Sequence, residues 1–475
     1  MKRSLPLGLL SLSVLLTGSC KQQSDQQKPN VIFILADDLG YNDVSCYRNA
    51  HPQHSDQPPT SQTSSIDELA EEGMRFTDFY AGAPVCSPSR AALITGRNAT
   101  RVGVYNWIPG NSPMHLRSEE VTIAEMLKKE HYQTGHFGKW HLTSQGMDQP
   151  LPNDQGFDYS FYTYNNARPS HENPENFYRN GKALGELKGY ACHLVVDEAL
   201  QWLEDSTDTE SPFYMSVWFN EPHTPLAAPD SLTSRHEYYP KYYGAIENMD
   251  NAVGRLMNYL KKQGLEEETI VFFSSDNGSK WPHSNDPLYG EKCFLFEGGI
   301  REPFIVRWPG KVPAGKVSEV AGSFTDILPS IAELTGAEIP QKRTLDGVSL
   351  ANVFTGKTEE VERKHPLFFY RYFHEPICMV REGDYVLLGY NSLITKNENL
   401  NEGELDKIKP WGFRKNHMEY LDTLKPRHFE LYNLEKDPGQ ENNIAGNHPQ
   451  KLEKMKARML ELRNEMVEDG GDWFE

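Results

Sequence analysis

Short apolar runs alternate with amphipathic segments over residues 30–335. The run Asn-Val-Ile-Phe-Ile-Leu-Ala at 30–36 is almost wholly apolar, which is typical of a strand buried on both faces. Further strands are predicted at 74–79, 132–137, 212–219, 269–273 and 303–308. Helices are predicted at 66–73, 122–130, 194–205, within 239–264 and at 325–334. This alternation predicts an α/β fold in which helices sandwich a mostly parallel sheet.

The pattern changes near residue 350, where short strands joined by tight turns replace the alternation. These strands are predicted at 366–373, 377–381, 385–390 and 428–434, before a helix at 449–467. A chain of 475 residues also exceeds one ordinary hydrophobic core. We therefore expect a catalytic domain over 30–350 and a smaller C-terminal α+β subdomain, an antiparallel sheet plus a helix, over 351–475.

The first residues predict export. Lys2 and Arg3 precede an apolar stretch at 5–16 that is too short to span a bilayer as a mature helix. Residues 1–19 are therefore predicted to be a signal peptide. The sequence Leu-Thr-Gly-Ser-Cys at 16–20 resembles a bacterial lipobox, which predicts a bacterial source and a lipid on Cys20.

Cleavage by an ordinary signal peptidase is the alternative to lipidation. Residues 20–29 are polar and predict a tether. We expect a periplasmic or cell-surface protein, held at the outer membrane by its lipid anchor alone.

Composition narrows the range of partners. A hydrophobic content of 38% is sufficient for a packed globular protein, and the formal net charge of −19 argues against nucleic acid. If the ligand is an anion, positive charge must be concentrated at its site. The six cysteines show no spacing that indicates a zinc site or a disulfide framework.

Four predicted strands end directly in polar clusters. Ligands of open α/β sheets bind at the carboxyl ends of the strands, so these clusters are expected to converge on one cleft. They are Asp37-Asp38, Lys139 with His141, His223, and Asp276-Asn277. The carboxylate and amide oxygens suit Ca²⁺ or Mg²⁺ better than Zn²⁺.

A further candidate site precedes a short predicted helix. Ser87 is a suitable N-cap, Pro88 suits the first helical position and Gly96 is placed to end the helix. Cys86 then lies just ahead of a helix N-terminus, where backbone N–H groups favour an anion, and Arg90 follows one turn later. These residues alone indicate an anion site beside a thiol, or a buried structural cysteine.

The longer stretch resembles a known signature. Cys-x-Pro-x-Arg at 86–90, followed by Ala-Ala-Leu-Ile-Thr-Gly-Arg at 91–97, is similar to the signature of type I, formylglycine-dependent sulfatases, the arylsulfatase-like family of the alkaline-phosphatase superfamily. Residues 290–303 resemble the family's lysine-bearing segment and contain Lys292. Leu-Tyr-Asn-Leu at 431–434 with Asp437-Pro438 resembles its C-terminal subdomain.

This resemblance implies a chemistry. Cys86 would be oxidised to formylglycine (3-oxoalanine) by a formylglycine-generating or anaerobic sulfatase-maturating enzyme. One Ca²⁺ would be held by residue 86 together with Asp37, Asp38, Asp276 and Asn277. A hydroxyl of the hydrated aldehyde would attack sulfur and the second hydroxyl would then expel sulfate.

The resemblance also implies the catalytic set Cys86, Arg90, Lys139, His141, His223 and Lys292. Within this set, His141 would accept the proton of the second hydroxyl of hydrated formylglycine. Either His223 or Lys292 serves the leaving alcohol.

Substrate identity is less constrained. Segments 101–118, 156–190, 279–289 and 395–425 lack a core pattern and are expected to line the cleft. Candidate substrate contacts within them are Arg168, His171, Trp281 and His283, because aromatic and polar groups together suit a sugar. We expect exo-action on a sulfated galactose or N-acetylgalactosamine end. The alternatives are a phosphate or phosphonate ester hydrolase of the same superfamily and a non-catalytic glycan-binding lipoprotein.

Overall fold

A computed structural model describes residues 28–50, 61–205, 211–339, 343–372, 374–391 and 415–474. The predicted signal peptide, Cys20 and most of the predicted tether lie outside these residues, as do residues 395–414 of the last predicted cleft segment. Across the described ranges, no helix is both long enough and apolar enough to cross a membrane.

The larger of two sheets has 11 strands in the described residues. Its members are β1 Asn30–Ala36, β2 Met74–Tyr80, β3 Gln133–Lys139, β4 Tyr159–Thr163, β5 Tyr178–Arg179, β6 Lys182–Ala183, β7 Phe213–Trp218, β8 Thr269–Ser275, β9 Arg301–Arg307, β10 Lys316–Ser318 and β11 Gly322–Ser323. The order is β10-β2-β9-β8-β1-β7-β3-β4-β5-β6, with β11 beside β2. The central run β8-β1-β7-β3-β4 is parallel, and β9 is antiparallel to both of its neighbours.

The second sheet has four antiparallel strands, β12 Leu367–Tyr370, β13 Cys378–Glu382, β14 Tyr385–Tyr390 and β15 His428–Asn433. The α-helices are α1 Ser45–Arg48, α2 Ser64–Glu72, α3 Cys86–Thr95, α4 Ala99–Val102, α5 Ile123–Lys128, α6 Ala191–Asp205, α7 Asp230–Thr233, α8 Pro240–Lys262, α9 Glu297–Ile300, α10 Ile327–Thr335, α11 Ala351–Phe354, α12 Lys415–Thr423 and α13 Pro449–Gly470. The predicted α/β fold with a smaller antiparallel sheet is confirmed.

The apolar run at 30–36 forms strand β1, which is covered on both faces. Val31, Phe33 and Leu35 belong to one apolar cluster, whereas Ile32 and Ile34 belong to another. All seven β1 residues are buried, because side chains alternate between two faces that are both covered.

The helix after β2 differs from the prediction at its start. α3 begins at Cys86 itself, with Val85 as N-cap, and ends as predicted at Gly96, whose φ is 68°. Ser87 does not cap the helix, since its Oγ accepts a hydrogen bond at 3.0 Å from the backbone N–H of Ile108. Every residue of α3 is buried.

A buried polar contact joins the two sheets. Arg381 on β13 lies 2.6 Å from the Asp78 carboxylate on β2 and donates to the Tyr80 hydroxyl at 2.6 Å. Asp78 also binds Arg301 at 2.9 Å. Both cations lower the pKa of Asp78 against the opposing effect of burial, so the carboxylate is held in its charged form.

We expect Asp78→Asn to lower the free energy of unfolding by about 3 kcal/mol, because the buried guanidinium groups of Arg381 and Arg301 lose the carboxylate that they share. Urea denaturation measures this. The control Glu453→Gln removes a carboxylate from an exposed pair with Lys456 and is expected to cost less than about 1 kcal/mol. Equal losses for the two variants would contradict the proposed role of Asp78.

Candidate active site

The parallel strands bring the predicted carboxylates together. Ala36 pairs with Ser275 at the ends of β1 and β8, so the residues that follow them emerge side by side. The backbone N–H of Asp276 donates to the Ala36 carbonyl at 3.1 Å, and that of Asp38 donates to Asp276 Oδ1 at 3.2 Å. Asp37, Asp38 and Asp276 are all buried.

Cys86 lies at the centre of these groups. Its Sγ is 3.5 Å from Asp37 Oδ1 and 4.0 Å from Asp38 Oδ1. The Nζ atoms of Lys139 and Lys292 lie 3.5 Å and 3.8 Å from it. Burial raises the pKa of the Cys86 thiol despite both lysines, so the unmodified side chain stays protonated and is a poor nucleophile.

Each carboxylate of the cluster has one cation as its nearest partner, and Asp37 also lies 3.8 Å from Arg90. Lys139 binds Asp37 at 2.6 Å, Lys292 binds both oxygens of Asp38 at 2.6 Å, and Arg90 lies 2.8 Å from Asp276. Burial opposes ionisation of Asp38, but Lys292, His223 and Lys139 hold its pKa below the usual range. Burial and the neighbouring Asp37 raise the pKa of Asp276 despite Arg90.

The same cluster has the donor set of a hard divalent cation. One ligand atom from each of Asp37, Asp38, Cys86 and Asp276 lies within 4.8 Å of the others. Asn277 donates through Nδ2 to Asp38 at 2.7 Å, while its buried Oδ1 finds no hydrogen-bond partner among the described residues. Carboxylate oxygens with an unsatisfied amide oxygen fit Ca²⁺.

The two predicted histidines flank this cluster in neutral form. Burial lowers the pKa of His141 well below its usual range, and Lys139 and Arg90 add to this. Its Nε2 lies 3.1 Å from the Ile108 carbonyl and therefore carries the proton, whereas Nδ1 has no hydrogen-bond partner in the described part of the chain. His141 thus presents a free lone pair.

His223 has the opposite tautomer. Its Nδ1 is 2.6 Å from the Thr224 carbonyl and its Nε2 is 3.4 Å from Asp38 Oδ2. Burial lowers the pKa of His223 to about 3, with Lys292 and Lys139 adding to the effect against Asp38.

The predicted substrate contacts lie in different settings. Arg168 and His283 are exposed, and Trp281 is half-buried. His171 is fully buried, with Nδ1 3.7 Å from Glu221, and its contact with substrate stays a prediction. Burial lowers the pKa of His171 to about 3, and neither nitrogen of the ring has a hydrogen-bond partner among the described residues.

Asn166, a polar residue of the predicted cleft segment 156–190, contacts Lys139, and the sequence did not predict this contact. Its Oδ1 accepts a hydrogen bond from Lys139 Nζ at 2.8 Å, so it fixes the direction of that cation. The feature that could have indicated this contact is the position of Asn166 just after β4, at the same edge of the sheet as the other polar clusters.

Buried carboxylates beside a potential nucleophile, with cations around them, define a site for cleaving an anionic ester. A family model described as Sulfatase matches residues 29–337, and one described as N-sulphoglucosamine sulphohydrolase, C-terminal, matches residues 288–405. The first match covers more than half of the chain.

Related proteins and solved structures are consistent with the sulfatase family match. Human arylsulfatase A is 32% identical over 470 residues, 91% of this chain and 87% of that protein. Pig N-acetylgalactosamine-6-sulfatase is 32% identical over 375 residues, 73% of this chain and 69% of that protein. A crystal structure of Ps i-CgsB in complex with k-i-k-neocarrahexaose has a TM-score of 0.76 at 26% identity and covers 94% of each chain. The chain belongs to the sulfatase family and is a sulfuric ester hydrolase.

Proposed function

We propose that this protein is a calcium-dependent sulfatase that cleaves sulfate monoesters of carbohydrates through formylglycine formed from Cys86. The main support is the position of Cys86 Sγ, within 4.0 Å of two carboxylates and of two lysine ammonium groups. Such surroundings suit a residue that must face a cation and a sulfate group together.

Two groups would be added to the chain. Calcium, held by residue 86 with Asp37, Asp38, Asp276 and Asn277, supplies positive charge that makes a hydroxyl more acidic and stabilises charge on sulfate oxygens. Hydrated formylglycine supplies a nucleophilic hydroxyl and a second hydroxyl through which the aldehyde is restored.

The chain's own cations bind and orient the anion. Lys139 and Lys292 approach residue 86 and are already aligned by Asp37, Asp38 and Asn166. Arg90 instead holds Asp276 and the Lys139 carbonyl, at 2.9 Å and 2.5 Å. Its role is therefore to orient a calcium ligand and the strand end that carries Lys139.

The histidines are assigned to proton movement. Neutral His141 accepts a proton at Nδ1, its free nitrogen. His223 or Lys292 serves the leaving alcohol. Since the pKa of His223 is low in the substrate-free site, the bound sulfate anion must offset the nearby lysines before His223 Nε2 holds a proton.

The proposed substrate is a sulfated galactose or N-acetylgalactosamine end, cleaved by exo-action. Support comes from relatives and structural neighbours named for N-acetylgalactosamine-6-sulfatase activity and for a carrageenan-type hexaose complex. We further propose export with a lipid on Cys20, maturation by a formylglycine-generating or anaerobic sulfatase-maturating enzyme, and a domain division at residues 350 and 351.

A phosphate or phosphonate ester hydrolase is the alternative within the same superfamily. A phosphonate monoester hydrolase has a similar fold, with a TM-score of 0.64, but only 18% sequence identity. A non-catalytic glycan-binding lipoprotein would not require the cation pairs around Cys86. The sulfatase family match therefore favours sulfate cleavage.

We expect purified wild-type protein to hydrolyse 4-nitrophenyl sulfate far faster than 4-nitrophenyl phosphate. Peptide mass spectrometry of active protein is expected to show formylglycine at position 86. Cys86→Ala should reduce turnover by about 10³-fold or more, because it removes the nucleophile. Cys46→Ala, which changes another free cysteine, is the matched control and should retain activity. Full activity of Cys86→Ala would refute the assignment.

We expect calcium to raise the melting temperature of chelator-treated protein. A ligand at 100 times its Kd stabilises the folded state by about 2.7 kcal/mol. Asp276→Ala should lose both this shift and turnover, whereas Glu359→Gln, at an exposed ion pair, should keep both. Activity restored by zinc alone would contradict a calcium site.

We expect His223→Ala to lose much more activity on a sulfated sugar than on 4-nitrophenyl sulfate. A nitrophenolate leaves without a proton, whereas a sugar hydroxyl depends on a general acid worth about 10²- to 10⁴-fold. Comparing kcat for the two substrates measures this difference. Equal losses would transfer the acid role to Lys292 or to water.

A further inference from the structure

The loop over residues 279–291 connects two parts of the site. It follows Asn277, a proposed calcium ligand, and it ends at Lys292. The loop is closed at its base because the backbone N–H of Lys292 donates to the Ser279 carbonyl at 3.2 Å. Asn285 reinforces the closure, donating to the same carbonyl at 2.8 Å and accepting from Ser279 N at 2.9 Å. Such closed loops are frequently functional, and this one must lie at the edge of the catalytic site.

Trp281 on this loop is supported from inside by Tyr242. The two ring centroids are 5.0 Å apart with an interplanar angle of 31°. The Tyr242 hydroxyl donates to Asp43 at 2.5 Å and lies 3.4 Å from the Asp38 carbonyl. A single aromatic ring therefore separates Trp281 from the backbone of a proposed calcium ligand.

A second aromatic ring meets Trp281 from the start of α8. The Tyr239 ring lies 5.3 Å from the Trp281 ring at an interplanar angle of 60°. Tyr239 has φ 46° and ψ 48°, in the left-handed region that bulky residues rarely adopt. Tyr239 is 39% exposed, and the adjacent Tyr238 is 53% exposed. Strained backbone of this kind persists mainly where function requires it.

We propose that Trp281 and Tyr239 form a stacking surface for a second sugar, adjacent to the sulfated sugar that is cleaved. Large, half-exposed aromatic rings bind the apolar face of a pyranose while its hydroxyls stay in contact with water. This inference rests on the proposed glycan sulfatase activity and specifies its substrate as an oligosaccharide rather than a free monosaccharide.

The surface has a distinct kinetic signature. It lies outside the cluster around Cys86, so it contributes to binding of the longer substrate and not to the chemical step. Its loss should therefore raise KM for an oligosaccharide, leave kcat nearly unchanged and have little effect on a monosaccharide.

The experiment compares chondroitin 6-sulfate, chondroitin 4-sulfate and κ-carrageenan tetrasaccharides with their sulfated monosaccharides and with 4-nitrophenyl sulfate. The variants are Trp281→Ala, Trp281→Tyr and, should the first misfold, Tyr239→Ala. Trp308→Ala is the matched control, since Trp308 is also half-buried but lies at the opposite edge of the sheet, where its Nε1 donates to the Glu267 carbonyl at 3.0 Å.

We expect Trp281→Ala to lower kcat/KM about tenfold on the preferred tetrasaccharide, mainly through KM, as loss of an interface tryptophan commonly does. Trp281→Tyr should recover most of this loss, and the monosaccharide rate should change less than about twofold. Trp308→Ala should match wild type.

A wild type that cleaves no tetrasaccharide more efficiently than its monosaccharide would overturn the stacking surface, and so would equal losses on both. Failure of wild type on 4-nitrophenyl sulfate as well would instead refute the proposed sulfatase chemistry.

Discussion

The close pairing of carboxylates with cations at the strand ends is the constraint on which the site depends. The three shortest pairs are Asp37 with Lys139, Asp38 with Lys292, and Asp276 with Arg90. Burial of any member alone would be costly, so each charge stabilises its partner. The six charges sum to zero, and a divalent cation would bring the cluster to about +2. A chain of net charge −19 can thereby hold an anionic substrate.

The parallel sheet makes this pairing geometrically possible. Strands β8, β1, β7 and β3 are adjacent in that order, although the chain segments between them are long. Their carboxyl ends share one edge, and β2 delivers α3 to the same edge. A one-residue slip in register would turn each side chain at a strand end to the other face of the sheet. Because β1 is fully buried, its register is fixed, and this also fixes the direction in which Asp37 and Asp38 point.

Much of this could be predicted from sequence, and the misses have physical causes. Continuous apolar runs located the central strands, and polar residues at their ends located the cluster. The prediction of Ser87 as the N-cap of α3 was wrong because its hydroxyl accepts a hydrogen bond from the backbone N–H of Ile108, which is a tertiary contact. The hydrogen bond from Lys139 to Asn166 was missed for the same reason, because the two residues are distant in the chain. Local pattern carries no information about such contacts.

The burial of α3 constrains the order of two events, the folding of the chain and any enzymatic oxidation of Cys86. Cys86 is 3% exposed and every other residue of its helix is buried, so an enzyme's active site cannot reach the thiol once the domain has closed. Any enzyme that oxidises Cys86 must therefore meet the chain while this segment is still extended. Under the proposed formylglycine chemistry, a molecule that folds before this oxidation would keep a buried, unmodified thiol and would stay inactive.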